Sequence, residues 1–291
     1  PHGYNSNMRQ TFRSVMTFSR LPRRFAARIA ATFAVLTSVS GCLASTQQEV
    51  DIGNQYAAQV DQQLPLIRDP EVARYITVLG DSIARVSDDR SLRWTFQVVD
   101  QPDINAFAVP GGHIYVYRGL IEKTATMSEL AGVLGHEIAH VTQRHSMLQM
   151  RDQQRANVGV TLGCILAPAV CNSGVGNAAL QLGGGAAFAK FSRDDEAEAD
   201  KFGVTYITRA GIDPRGMPSM FRTLMAERKT NPSGLDNFFA SHPVEESRVA
   251  HTEAEIKKLD PVVIQSLTKD SRAFQAFKAR LASLPRSSVR K

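Results

Sequence analysis

Between Gly135 and Ser146 the chain reads G-H-E-I-A-H-V-T-Q-R-H-S, with histidines at 136, 140 and 145 and a glutamate at 137. His136 and His140 stand four residues apart. On a helix that spacing puts both imidazoles on one face, a turn apart, where both reach one Zn2+ ion. Glu137 then projects beside the pair, placed to take a proton from a metal-bound water, whose acidity zinc raises. The pattern therefore requires a helix here. The run E-L-A-G-V-L-G-H-E-I-A-H reads as one, and Thr126-Met127-Ser128-Glu129 fits a capping box at its start. His145 would lie about 140° from His140 on an unbroken helix. It reads as a capping or core histidine, and as a ligand only if the helix breaks.

A catalytic zinc needs a third protein ligand and an open position for water. The best source is F-S-R-D-D-E-A-E-A-D-K-F-G, from Phe191 to Gly203. Glu196 and Asp200 share a helix face there. Glu198 falls about 200° from Glu196 and cannot share its role. From the residues alone this run is equally a solvated acidic face.

Around these segments the chain reads as mostly helical. Residues 45–68 are polar and helical in character. Val72, Ile76, Leu79, Ile83 and Val86 alternate by four and three, an amphipathic helix that Asp69-Pro70 would start. Trp94 to Asp100 alternates and is β-branched, hence a strand. Pro110-Gly111-Gly112 reads as a turn between two short strands. Residues 157–189 are apolar and rich in glycine and alanine, a mobile helical excursion or a buried hairpin, with no run of membrane-spanning length. Residues 193–210 form a helix that ends at Gly211. The remainder is helical, with a loop through N-P-S-G-L-D-N-F-F-A-S-H-P.

The formal charge of +6 belongs to the first 41 residues, which hold six arginines and no acid; without them, 28 basic residues face 28 acidic ones. A basic nucleic-acid-binding face is therefore not expected. The same stretch reads as a targeting signal: arginines, then the apolar run Ile29–Val39, too short to span a bilayer, then Val39-Ser40-Gly41-Cys42. V-S-G-C resembles the lipobox of bacterial lipoproteins. That resemblance implies removal of residues 1–41, lipidation of Cys42 and, with Leu43 following it, an outer-membrane destination. Met8 or Met16 reads as the natural start. Cys164 and Cys171 remain for a disulfide in an exported chain.

The combination G-H-E-I-A-H-V-T-Q-R-H-S then S-R-D-D-E-A-E-A-D resembles the zinc peptidase family of CAAX prenyl endopeptidases and their bacterial relatives. N-A-F-A-V-P-G-G-H-I-Y-V at 105–116 and S-H-P-V-E-E-S-R at 241–248 match that family too, so the resemblance runs over roughly residues 70–250. It implies an α+β, mostly helical gluzincin-type domain with a small β-sheet beside the active-site helix. It implies one Zn2+ held by His136, His140 and Glu196, with Glu137 as general base and Asp200 orienting a ligand histidine. His242 and Arg248 would lie near the zinc, His242 donating to the oxyanion or occupying the open metal position. Asn105, Ala106, Phe107 and Ala108 would form an edge strand that pairs with substrate backbone. The nearest members are compact, lipid-anchored periplasmic forms. The expected organisation is an N-terminal helical segment at 42–68, a protease domain at 69–250 and a helical tail at 251–291 on the same domain. Expected function is cleavage of misfolded or misassembled envelope proteins at the inner face of the outer membrane, beside the outer-membrane assembly machinery. The rival is a chaperone-like assembly factor with low or latent proteolysis.

Overall fold

In the computed structural model residues 44–87, 90–166, 190–230 and 235–287 are described. The lipidation expected at Cys42, the disulfide expected between the Cys164 and Cys171 side chains, and most of 157–189 lie outside them.

Helix α1 (Thr46–Gln63) starts at a Ser45–Gln48 capping box, and α2 (Pro70–Ala84) at Asp69, whose carboxylate accepts from the backbone of Glu71 and Val72. The alternating apolar face read in the sequence is the buried face of α2: Val72, Ile76 and Ile83 are wholly enclosed. It covers a three-stranded sheet of β1 (Thr95–Val99), β2 (Ala106–Val109) and β3 (His113–Tyr117), in the order β1-β3-β2. β1 runs parallel to β3, with Thr95 opposite His113, and β2 runs antiparallel, with Ala106 opposite Val116. Gly111 (φ 81°) and Gly112 (φ 102°) make the turn that joins β2 to β3, a conformation that other residues adopt at a cost. β2 is thereby left at the sheet's edge, packed along the helix that carries the H-E-x-x-H stretch.

That helix is preceded by short α3 (Arg118–Lys123) and runs as α4 (Met127–Thr142). From Met127 to Val141 it is buried on all sides, which its apolar composition permits. Its start differs from the expected capping box. The Thr126 side chain caps no backbone group; Glu129 Oε2 instead accepts from the Ala125 backbone at 2.6 Å, and its Oε1 from Ser219 Oγ at 2.7 Å. Glu129 is drawn onto α7 and so serves the packing of two helices rather than a local cap.

α5 (His145–Leu166) follows, then α6 (Arg193–Arg209), α7 (Gly216–Thr230), α8 (Asp236–Ser241), α9 (Glu246–Ile256), α10 (Pro261–Ser266) and α11 (Arg272–Ser283). α8 corrects the loop expected through 231–243: buried Leu235 and Phe238 pull this stretch into the core, and a helical turn satisfies its backbone there. α4 and α6 cross closely because Gly135 and Gly203 face each other; a Cβ on Gly203 would lie 3.2 Å from the His136 backbone nitrogen. α7 and α9 complete the layer around α4 and α6, and α11 lies on α2, where Tyr75 and Phe277 stack at 4.4 Å. Among the described residues no helix is long and apolar enough to cross a membrane.

Candidate metal centre

α4 presents His136 and His140 a turn apart, their Nε2 atoms 3.0 Å from each other. α6 brings Glu196 to the same point, Oε1 3.3 Å from His140 Nε2 and Oε2 3.6 Å from His136 Nε2. The residue just after α8 supplies the fourth group. His242 Nδ1 lies 2.9 Å from Glu196 Oε1 and 3.3 Å from His136 Nε2. One donor atom from each of these four buried residues falls within 4.8 Å of the others, a set able to hold a metal ion. The cluster gathers the two expected histidines, the expected glutamate and His242, drawn from three separate elements.

Behind the cluster Asp200 Oδ1 sits 2.9 Å from His136 Nδ1, on the side of the ring away from Nε2. Arg248, from α9, ties the acidic residues together. Its Nε and Nη2 donate to Asp200 at 2.8 and 2.7 Å, and its Nη1 lies 2.5 Å from Glu196 Oε2. Burial by itself would raise the Asp200 carboxyl, but the Arg248 charge holds it below the usual range. Burial likewise opposes ionisation of Glu196, and the charges of His242 and His136 outweigh it, holding that group well below its ordinary value. Burial drives His140 well below 6.5, the neutral form a metal ligand requires. His242 is raised: desolvation lowers it, but the Glu196 and Glu137 charges prevail.

Glu137 is buried beside the cluster with no hydrogen bond to either carboxyl oxygen among the described residues; its nearest charged neighbour is His242 Nε2, 3.7 Å from Oε1. Three buried carboxyl groups, those of Glu137, Glu196 and Asp200, thus converge at this point, and a divalent cation would offset their negative charge. The donors also suit such an ion, since imidazole nitrogens with one carboxylate are a common zinc set. By both tests the residues fit a metal.

Two further side chains flank His140, and a third stands behind one of them. The Phe191 ring stacks on it at 4.0 Å. His145, itself buried, places Nδ1 2.8 Å from His140 Nδ1, and its Nε2 lies 3.1 Å from Glu198 Oε2. As expected, neither His145 nor Glu198 joins the donor cluster, but the contact of His145 with His140 is not one that an unbroken helix allows. α4 in fact stops at Thr142, Arg144 takes φ 62°, and α5 begins at His145, which returns that ring to His140. No glycine or proline marks the break. The expected substrate strand lies as Ala106–Val109 at the sheet edge along α4, with Asn105 just before it, its carbonyl bonded to Tyr117 N at 2.9 Å.

The family model described as Peptidase family M48 matches residues 68–256. The chain belongs to peptidase family M48. The resemblance read from the motifs is thereby borne out, as is the mostly helical fold with a small sheet. Among its M48 relatives, the beta-barrel assembly-enhancing protease of Escherichia coli O157:H7 is 33% identical over 281 residues, covering 94% of this chain and 56% of the relative. Metalloprotease YcaL of Escherichia coli (strain K12) is 30% identical over 208 residues, 70% of this chain and 74% of the relative. The mitochondrial metalloendopeptidase OMA1 of Arabidopsis thaliana is 30% identical over 161 residues, 55% and 31%. The chain therefore spans little more than half the length of the assembly-enhancing protease. The family match spans the whole cluster, from His136 to Arg248.

Proposed function

We propose that this M48 family member is a zinc-dependent endopeptidase of the bacterial periplasm, cleaving misfolded or misassembled envelope proteins. The observation that carries the reading is the convergence of His136, His140, Glu196 and His242 within 4.8 Å beside an unbonded Glu137 carboxyl. His136, His140 and Glu196 would hold the ion. Bound zinc lowers the pKa of its water to about 7 and polarises the scissile carbonyl.

Glu137 accepts the proton of the attacking water and passes it to the leaving amine nitrogen. Asp200 accepts from His136 Nδ1–H, which leaves the Nε2 lone pair free for the metal, and Arg248 keeps Asp200 ionised. Ala106, Phe107 and Ala108, with Asn105 just before them, lie at a sheet edge along which an extended substrate would add as a strand, largely regardless of its side chains. His242 lies among the ligands as a fourth donor, which suits a resting state; swung outward, the same ring would donate to the oxyanion. Attachment through Cys42 to the inner face of the outer membrane rests on the V-S-G-C pattern. Work beside the outer-membrane assembly machinery rests on the name of the assembly-enhancing relative.

The test compares the wild type with Glu137→Gln on an unfolded protein, with and without chelator. Wild-type cleavage that chelator abolishes, and a loss of about 100- to 10,000-fold in the variant, is expected. Equal digestion by both proteins would sink the proposal. A variant that does not cleave yet still repairs an envelope-assembly defect would favour a chaperone-like role. If His242 gates a latent enzyme, His242→Ala raises cleavage; a fall assigns it to the oxyanion.

A further inference from the structure

We infer that His145 and Glu198 form a positioning relay that fixes the tautomer and orientation of His140. The inference rests on the reading of His140 as a metal ligand and extends it to two residues with no assigned role.

The protons of these three side chains have one consistent arrangement. His140 turns Nε2 into the cluster, 3.3 Å from Glu196 Oε1. A metal there needs the Nε2 lone pair, so the His140 proton sits on Nδ1. That N–H points at His145 Nδ1, 2.8 Å away, which must accept it. The His145 proton is then on Nε2, 3.1 Å from Glu198 Oε2, which accepts in turn. Glu198 is half exposed and His145 is buried, so the chain of bonds runs from the surface to the ligand.

The backbone is arranged for this contact. Arg144 adopts φ 62°, a left-handed conformation that disfavours a residue with a side chain. It is held there by Glu49, whose Oε2 accepts from Arg144 Nε at 2.8 Å, and by the Ala44 carbonyl. A straight continuation of α4 would carry residue 145 away from His140. α6 thereby supports both ligand histidines, His136 directly through Asp200 and His140 through Glu198 and His145.

The test titrates metal-free full-length protein with Zn2+ against a chromophoric chelator. It compares wild type, His145→Leu, His145→Asn and Glu198→Ala, with melting temperature as the fold control. Leucine at 145 should weaken Zn2+ binding about 10- to 100-fold. Asparagine, whose carbonyl oxygen sits near the place of Nδ1, should restore most of it, and Glu198→Ala should give a smaller loss. In zinc-loaded wild type a slowly exchanging imidazole N–H signal should be assigned to His140 Nδ1, and it should vanish in His145→Leu. Wild-type affinity in His145→Leu, or an asparagine variant as weak as the leucine one, overturns the relay. A wild type that binds no Zn2+ overturns the relay and the metal reading together. Zinc binding that follows the expected order, without Glu137-dependent proteolysis, overturns the proposed reaction alone.

Discussion

Arg248 shows how far one side chain governs the centre. It is buried and bonded to Asp200 and Glu196 at once. Removing one partner of a buried charged set costs about 3–5 kcal/mol, because the remaining charges lose their compensation. Arg248→Met should therefore lower the denaturant midpoint of the metal-free protein sharply. It should also change the acid side of the profile. A carboxyl whose folded pKa is depressed, as that of Asp200 is, adds stability above its unfolded value of about 3.9 and loses it as pH falls through the folded value. Without Arg248 the folded value rises, so acid unfolding should begin at higher pH, as a circular-dichroism titration would measure. An unchanged acid midpoint would mean that Arg248 does not hold Asp200 ionised. At this scale the legible residues were those whose chemistry is local: His136, Glu137 and His140 follow from spacing on one helix. Glu196 was one of two readings until the family pattern was added, and His242 needed that pattern altogether, because each meets α4 only through tertiary packing. His145 is a buried histidine outside the donor cluster and Glu198 takes no part in it, as expected; only the contact of His145 with His140 is unmarked in the sequence, because no residue signals the break at Arg144.

At the scale of elements, the centre depends on how closely α4 and α6 cross. A Cβ on Gly203 would lie 2.6 Å from Met217 Cε and 3.2 Å from the His136 backbone nitrogen. The methionine end can yield; the α4 backbone cannot without moving His136. Gly203→Ala should gain about 1 kcal/mol of helix propensity and lose about 1–3 kcal/mol to overpacking. The net expectation is modest destabilisation with a disproportionate loss of Zn2+ affinity, because the strain falls at His136. Chemical denaturation and zinc titration of the same variant check both halves; a stabilised variant with full affinity would mean the crossing is looser than the geometry implies. Elements were easiest to read where period and punctuation agree, as in α2 with Asp69-Pro70 and in the Pro110–Gly112 turn. They failed where tertiary contacts decide. Phe238 and Leu235 make a helix of an apparent loop, and Glu129 leaves its expected cap for Ser219 on α7.

For the whole molecule, metal binding and folding are one equilibrium. The four candidate donors come from α4, α6 and the residue after α8, far apart in sequence, so the unfolded chain cannot present the same cluster. An ion held only by the folded state at 1,000 times its Kd adds about 4 kcal/mol. A domain of this size gains roughly 2–4 °C in melting temperature per kcal/mol, so saturating Zn2+ should raise it by roughly 8–16 °C. Chelator should reverse the shift. Glu137→Gln should keep it, since Glu137 lies outside the donor cluster, while His136→Ala and Glu196→Ala should lose it. Differential scanning fluorimetry of the four proteins separates the centre's structural contribution from its chemistry. If Glu137→Gln loses the shift as completely as His136→Ala, Glu137 belongs among the ligands and the assignment of the proton acceptor fails.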